Sequence, residues 1–145
     1  MKRGLYAITP EAARGEALFE LVRRALAGAP AALQYRPKSG DKSRCETEAR
    51  VLRELCSVAG VPMIVNDDLE LALAIGADGV HLGRDDGDLR TARGRLGTKL
   101  LGASCYDRLE LARAAVAEGA DYVAFGSVFP SPTKPDAVCA PLSLF

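Results

Sequence analysis

With 145 residues and 48 % hydrophobic content, the chain has apolar material for one core and little for a second, so one domain over residues 1–145 is expected. Lysine plus arginine number 19 and aspartate plus glutamate 19, so no net field draws the chain to nucleic acid or to an anionic membrane, and any anionic ligand needs a local pocket. Apolar stretches fall short of the roughly 18 residues that span a membrane, and the N-terminal MKRGLYAITP lacks a signal-peptide core. Cys45, Cys56, Cys105 and Cys139 form no C-x-x-C pair and, with the single His81, give no zinc spacing. Reduced, packing cysteines and a cytoplasmic location are the expectation.

In chain order, Leu5 to Thr9 is a first apolar run, closed by Pro10, and Ala17 to Ala27 carries Leu18, Val22, Ala25 and Leu26 on one helical stripe. Ala31 to Tyr35 reads as a second strand ending in Arg36, Pro37 and Lys38. A polar turn leads from it to a helix with Cys45, Ala49, Leu52 and Cys56 on one face. Met63 to Val65 is a short strand that stops at Asn66, Asp67 and Asp68; Leu69, Ala72, Leu73 and Gly76 then recur at helical spacing. Gly79 to Leu82 is the next strand, stopping at Gly83, Arg84, Asp85 and Asp86. A weaker helix near Leu89 to Leu96 and a strand from Lys99 to Ala103 follow. A helix from Arg108 to Ala117, bearing Ala112, Ala115 and Val116, then leads to a sixth strand from Tyr122 to Phe125.

Strand and helix alternate, which predicts an α/β fold with a parallel sheet covered by helices. An internal echo sharpens this: Ala74 to Gly83 (AIGADGVHLG) and Ala117 to Gly126 (AEGADYVAFG) both fit A-x-G-A-D-x-V-x-x-G. A repeated helix end, turn and buried strand suits an α/β barrel better than a doubly wound sheet, whose units need not be alike.

In a parallel sheet the ligand-binding edge is the one at the carboxyl ends of the strands. That edge would carry Thr9, then Gln34, Arg36 and Lys38, then Asn66 and Asp67, then His81, Arg84, Asp85 and Asp86, then Ser104, and last Ser131, Thr133 and Lys134. The two acidic clusters have two readings: they share one hard cation, which favours oxygen ligands, or Asp67 or Asp68 simply caps the following helix. Gln34, Arg36 and Lys38 alternate along an extended segment and either clamp a diphosphate or stand as solvated charges. The loop GSVFPSPTK has no Walker A spacing; it either offers hydroxyls and a lysine to an anion or is an ordinary surface turn. His81, between Val80 and Leu82, reads as a satisfied core or supporting group rather than a catalyst.

Taken together, GLYAIT, LQYRPK, PMIVNDD, ADGVHLGRDD, GAS and YVAFGSVFPSPTKPD closely resemble the thiamine-phosphate synthase family, within the thiamine monophosphate synthase and thiazole tautomerase superfamily of (βα)8 barrels. The resemblance implies transfer of a hydroxymethylpyrimidine diphosphate onto a thiazole phosphate, with Mg²⁺, giving thiamine phosphate and pyrophosphate. By the same resemblance Asp67 and Asp86 match the magnesium carboxylates, and Gln34, Arg36, Lys38 and Asn66 the pyrimidine and diphosphate contacts. Ser104 matches a diphosphate-side serine, Lys134 a lysine that meets the leaving pyrophosphate, and Ser131 with Thr133 the thiazole-phosphate loop. Arg36, Lys38, Ser104 and Lys134 are thereby the implied catalytic set, and Asp68 and Asp85 are left to capping or support. Arg84 and Tyr35 stand where Gln and Leu are more usual.

A complete (βα)8 barrel takes about 200 residues or more. Six strands followed by APLSLF, which reads as the start of a helix, therefore predict an incomplete barrel of about six parallel strands, lacking the last two βα units. Open edges on such a sheet would favour a homo-oligomer. Two other functions fit the same fold: a thiazole tautomerase-like protein, and a truncated, inactive ligand-binding remnant.

Overall fold

The computed structural model describes residues 2–37, 41–129 and 138–145. The chain runs β1 (Tyr6–Ile8), α1 (Gly15–Ala27), β2 (Ala32–Tyr35), α2 (Lys42–Ala59), β3 (Met63–Asn66), α3 (Leu69–Ala74), β4 (Gly79–Leu82), α4 (Leu89–Leu96), β5 (Leu100–Tyr106), α5 (Leu109–Ala117) and β6 (Tyr122–Phe125). Strand order follows chain order. Two compact units, residues 1–80 and 81–145, divide within β4.

In the first unit β1, β2 and β3 pair in parallel, with Ile8 opposite Gln34 and Tyr35 opposite Val65. Parallel strands joined by helices bury both faces, and β2 is buried throughout while Met63, Ile64 and Val65 of β3 are fully enclosed. Helix α1 turns Leu18, Val22 and Leu26 inward, and α2 turns Ala49, Leu52 and Cys56 inward, as the apolar spacing predicts. Buried Glu48 lies among those α2 residues, a polar group that the apolar pattern passed over. The first apolar run yields a shorter strand than predicted, and Leu5 and Ile8 are exposed, 71 % and 53 %. Among the described residues β1 is the first strand in the sheet order and pairs with β2, and hydrophobicity alone overstated its burial.

In the second unit β5 and β6 are parallel, with Gly102 opposite Tyr122 and Ser104 opposite Ala124. β5 runs three residues past its predicted end at Ala103, because pairing with β6 continues to Tyr106 opposite Phe125 across a register shift after Ser104. Val116, expected on the packed face of α5, is instead 61 % exposed; Ala112 and Ala115 supply that face, packed with Ala103 and Cys105. The expected helix start in APLSLF is a single 3₁₀ turn, Leu142–Leu144. Among the described residues no disulfide joins the cysteines; Cys56 and Cys105 are buried and Cys139 is exposed.

The internal echo has a physical basis in each unit. Asp78 N donates to Met63 O (2.9 Å) while the Asp78 carboxylate accepts from Met63 N (2.8 Å). Asp121 treats Leu101 in the same way, both bonds being 2.8 Å. An arginine from the helix before the paired strand closes each turn: Arg53 donates to Gly76 O and approaches Asp78 at 3.5 Å, and Arg93 donates to Gly119 O and to Asp121. The motif's aspartate thus latches the entry of one strand to the entry of the strand before it.

Candidate active site

In the first unit the carboxyl end of β2 is fixed by Thr9, whose N–H donates to Gln34 O and whose hydroxyl accepts from Arg36 N, both at 2.9 Å. Gln34 is 4 % exposed, and its amide donates to the Tyr6 hydroxyl at 3.3 Å. Arg36 follows the strand, half-buried, and pairs with Glu11 at 3.1 Å, an ion pair that orders the guanidinium. Lys38 lies outside the described residues.

Tyr35, the departure from Leu, has a built-in partner. Its hydroxyl donates to Glu48 Oε2 at 2.7 Å, and Glu48 Oε1 accepts from Gly15 N at 3.0 Å, with Arg44 Nε 3.9 Å away. Burial, followed by the Glu48 carboxylate, pushes the phenol well above its ordinary range and keeps it a donor. Glu48 sits four residues before Leu52, on the same helical face as the apolar stripe, but its charge hides it from a search for apolar spacing, and the Tyr35 partner is not visible in the sequence at all.

At the end of β3, Asn66 O accepts from Asp68 N at 2.8 Å, and Asp68 Oδ1 accepts from Leu71 N at 2.8 Å, which caps α3. Asp67 sits between them, exposed, at φ 64, a left-handed conformation that aspartate tolerates better than most residues. The structure therefore decides between the two aspartates: Asp68 is the cap.

In the second unit the loop after β4 is tightened by Asp86, whose Oδ2 accepts from Gly83 N at 2.8 Å. A Cβ at position 83 would lie 2.8 Å from that oxygen, so the turn needs glycine. Asp88, rather than Asp85 or Asp86, caps α4 through Thr91 N at 2.7 Å, and hydrogen bonding from the Thr91 side chain, followed by its N–H, holds the Asp88 carboxyl below the usual carboxylate range. Arg84, the other departure, lies 5.0 Å above the Tyr106 ring, and its N–H donates to the Tyr106 hydroxyl at 3.3 Å.

Ser104 lies within β5 rather than at its end, and its Oγ is 2.9 Å from His81 Nε2. His81, 7 % exposed, meets the Tyr122 hydroxyl through Nδ1 at 3.2 Å. Tyr122 and Tyr106 were not singled out from the sequence; the signal available was Gly102 inside a strand, a mark of close approach. Ser131, Thr133 and Lys134 lie outside the described residues. Among the described residues no three His, Cys, Asp or Glu side chains converge as a metal cluster, and no helix is long and apolar enough to cross a membrane.

The family model described as Thiamine monophosphate synthase matches residues 5–145. A thiamine-phosphate synthase from Chromobacterium violaceum is 63 % identical over 98 % of this chain, and one from Azoarcus sp. 59 % identical over 98 %; the chain spans 69 % of each. The solved thiamine phosphate pyrophosphorylase from Pyrococcus furiosus superposes with a TM-score of 0.82 at 36 % identity, covering 94 % of this chain and 64 % of that one. N-acetylneuraminate lyase from Fusobacterium nucleatum shares the fold alone, with a TM-score of 0.63 at 19 % identity. The fold is accordingly the α/β, TIM-like type with six parallel strands. Matched by the family model over residues 5–145 and by synthases at these identities, the chain belongs to the thiamine monophosphate synthase family of transferases.

Proposed function

We propose that this chain, as one synthase-like domain in the cytoplasm, joins hydroxymethylpyrimidine diphosphate to thiazole phosphate, giving thiamine phosphate and pyrophosphate with Mg²⁺. The observation that carries the reading is a division of labour among the acidic residues. In each unit a strand-end carboxylate, Asp67 or Asp86, is spared the helix-capping duty that Asp68 and Asp88 take up.

Asp67 and Asp86 suit magnesium by donor chemistry. Both are exposed carboxylates, and Asp86 keeps its second oxygen clear of the bond to Gly83. One or two protein carboxylates completed by substrate phosphate and water is a usual magnesium arrangement. Bound there, Mg²⁺ would neutralise charge on the leaving diphosphate.

The remaining roles fall to side chains. Gln34 and Asn66 would hold the pyrimidine, and Arg36, Lys38 and Lys134 would meet the diphosphate with positive charge. Ser104 would donate a hydrogen bond to a diphosphate oxygen, and Ser131 with Thr133 would seat the thiazole phosphate. When the diphosphate leaves, the pyrimidine methylene becomes a cation stabilised by its electron-rich ring, and the thiazole nitrogen attacks that carbon. Such a reaction asks for leaving-group stabilisation and alignment more than for a strong base. Purified protein incubated with both substrates and Mg²⁺ is expected to form thiamine phosphate, detected by chromatography. No product at high protein concentration overturns the proposal for this chain.

A further inference from the structure

We infer that His81 is a positioning residue for Ser104 and that Tyr122 sets the His81 tautomer, so that the Ser104 hydroxyl keeps its own proton for an anionic oxygen. The inference rests on the reading of Ser104 as a diphosphate donor. A serine hydroxyl turns freely unless something holds it, and Ser104 Oγ is held at 2.9 Å by His81 Nε2. The imidazole is itself constrained. It is nearly buried, its Nδ1 is 3.2 Å from the Tyr122 hydroxyl, and the two rings lie 5.5 Å apart at 36°.

The room for this pair comes from Gly102 on β5, where a Cβ would fall 2.6 Å from His81 Nδ1 and 2.2 Å from Tyr122 Cζ. No side chain but hydrogen fits there, so the strand is cut to the shape of the chain Tyr122–His81–Ser104.

A neutral imidazole bonded to both hydroxyls donates at one nitrogen and accepts at the other. If Tyr122 O–H donates to Nδ1, the ring carries its proton on Nε2 and donates to Ser104 Oγ. The serine proton is then left for a phosphate oxygen. In the opposite tautomer Ser104 spends its proton on Nε2 and has only lone pairs to offer an anion, which repels it. Tyr122 is what selects the first arrangement, because a phenol is a better donor than a serine hydroxyl and gives its proton to Nδ1.

His81 is the only histidine in the chain, so its ¹⁵N imidazole spectrum reads one residue. An Nε2-protonated ring is expected in the unaltered protein, with Tyr122→Phe shifting the signal toward the Nδ1-protonated form. Titration with inorganic pyrophosphate and Mg²⁺ gives the second readout. Ser104→Ala is expected to weaken binding about tenfold, the worth of one hydrogen bond to a charged group. Tyr122→Phe should weaken it several-fold alone and add nothing in the Ser104→Ala background. His81→Gln, which places an amide near Nε2, should retain most of the affinity, and His81→Asn, which reaches only toward Tyr122, should not.

Unchanged affinity in Ser104→Ala overturns the reading of Ser104 itself. An Nδ1-protonated ring, or additive losses from Ser104→Ala and Tyr122→Phe, overturns the positioning role while leaving that reading intact.

Discussion

The two copies of A-x-G-A-D-x-V-x-x-G build the same latch yet deliver different strands. After the first copy β4 is buried at every residue; after the second, β6 is only half-buried, with Ala124 exposed. The shared letters Ala, Gly, Asp and Val specify the turn and the entry into the strand. Neighbours, rather than the motif, determine how deep the strand lies. The His81–Tyr122 contact comes from the letters that differ: the first copy carries His81 where the second has Ala124, and the second carries Tyr122 where the first has Gly79. Each copy thus supplies half of a hydrogen-bonded pair that neither could form alone.

The largest expected effect concerns the strand-end aspartates, one in each unit. Asp67→Asn and Asp86→Asn should each lower turnover on the order of 100-fold, as loss of a group acting on transition-state charge does. Asp68→Ala should keep turnover and cost about 1 kcal/mol of stability, the worth of a helix cap, and Asp88→Ala should likewise keep turnover while lowering the Tm. Equal turnover losses in Asp67→Asn and Asp68→Ala would erase the distinction between ligand and cap.

A middle-sized difference is expected between the two latch arginines. Arg93 donates to Gly97 O, Lys99 O, Gly119 O and the Asp121 carboxylate, whereas Arg53 has one backbone bond, to Gly76 O, and a 3.5 Å ion pair with Asp78. Urea unfolding should show Arg93→Met destabilising by about 2–3 kcal/mol and Arg53→Met by about 0.5–1 kcal/mol. Equal costs would mean that the latch depends on the aspartate alone.

The smallest effect lies in alkaline stability. Burial, with some help from Asp78, pushes the Cys56 thiol from 9.0 up to about 12, and burial raises Cys105 as well. The folded state favours the neutral thiol, so this contribution is complete below pH 9.0 and is lost as pH climbs toward about 12, because the unfolded chain ionises first. Replacing Cys56 with Ala should flatten the fall in stability over that window, and Cys105→Ala should do so as well. An unchanged slope in Cys56→Ala would show that the thiol titrates equally in both states.

Much of the fold was legible because period and punctuation are local properties. The stripe Leu18, Val22, Leu26 and the stripe Ala49, Leu52, Cys56 needed only helical spacing, and both are buried as expected. The errors came where a partner decides. Leu5 and Ile8 are apolar, but among the described residues β1 is the first strand in the sheet order and both are exposed; β5 runs on to Tyr106 because β6 pairs with it that far. Around the expected site, Gln34 lies within β2 and Asn66 ends β3, with Asp67 the next residue, while in the second unit Asp86 closes the loop after β4 and Ser104 lies inside β5 rather than at its end. Glu48, Tyr106 and Tyr122 escaped notice because each matters through a side chain distant in sequence, and single residues carry no spacing.

Glu48 has a consequence for the order in which the chain assembles. Its carboxylate lies on α2, and it accepts from Gly15 at the start of α1 and from Tyr35 in β2, so its hydrogen bonds close only when all three elements are together. While any one is absent, burying that charge is unfavourable, so an early, half-built intermediate gains nothing from collapsing around it. The bond set would then form after the rate-limiting barrier, and a Glu48→Gln chain should fold at nearly the usual speed while unfolding faster. The residue would then act as a late clasp on the first unit, lengthening the life of the folded state rather than hastening its arrival.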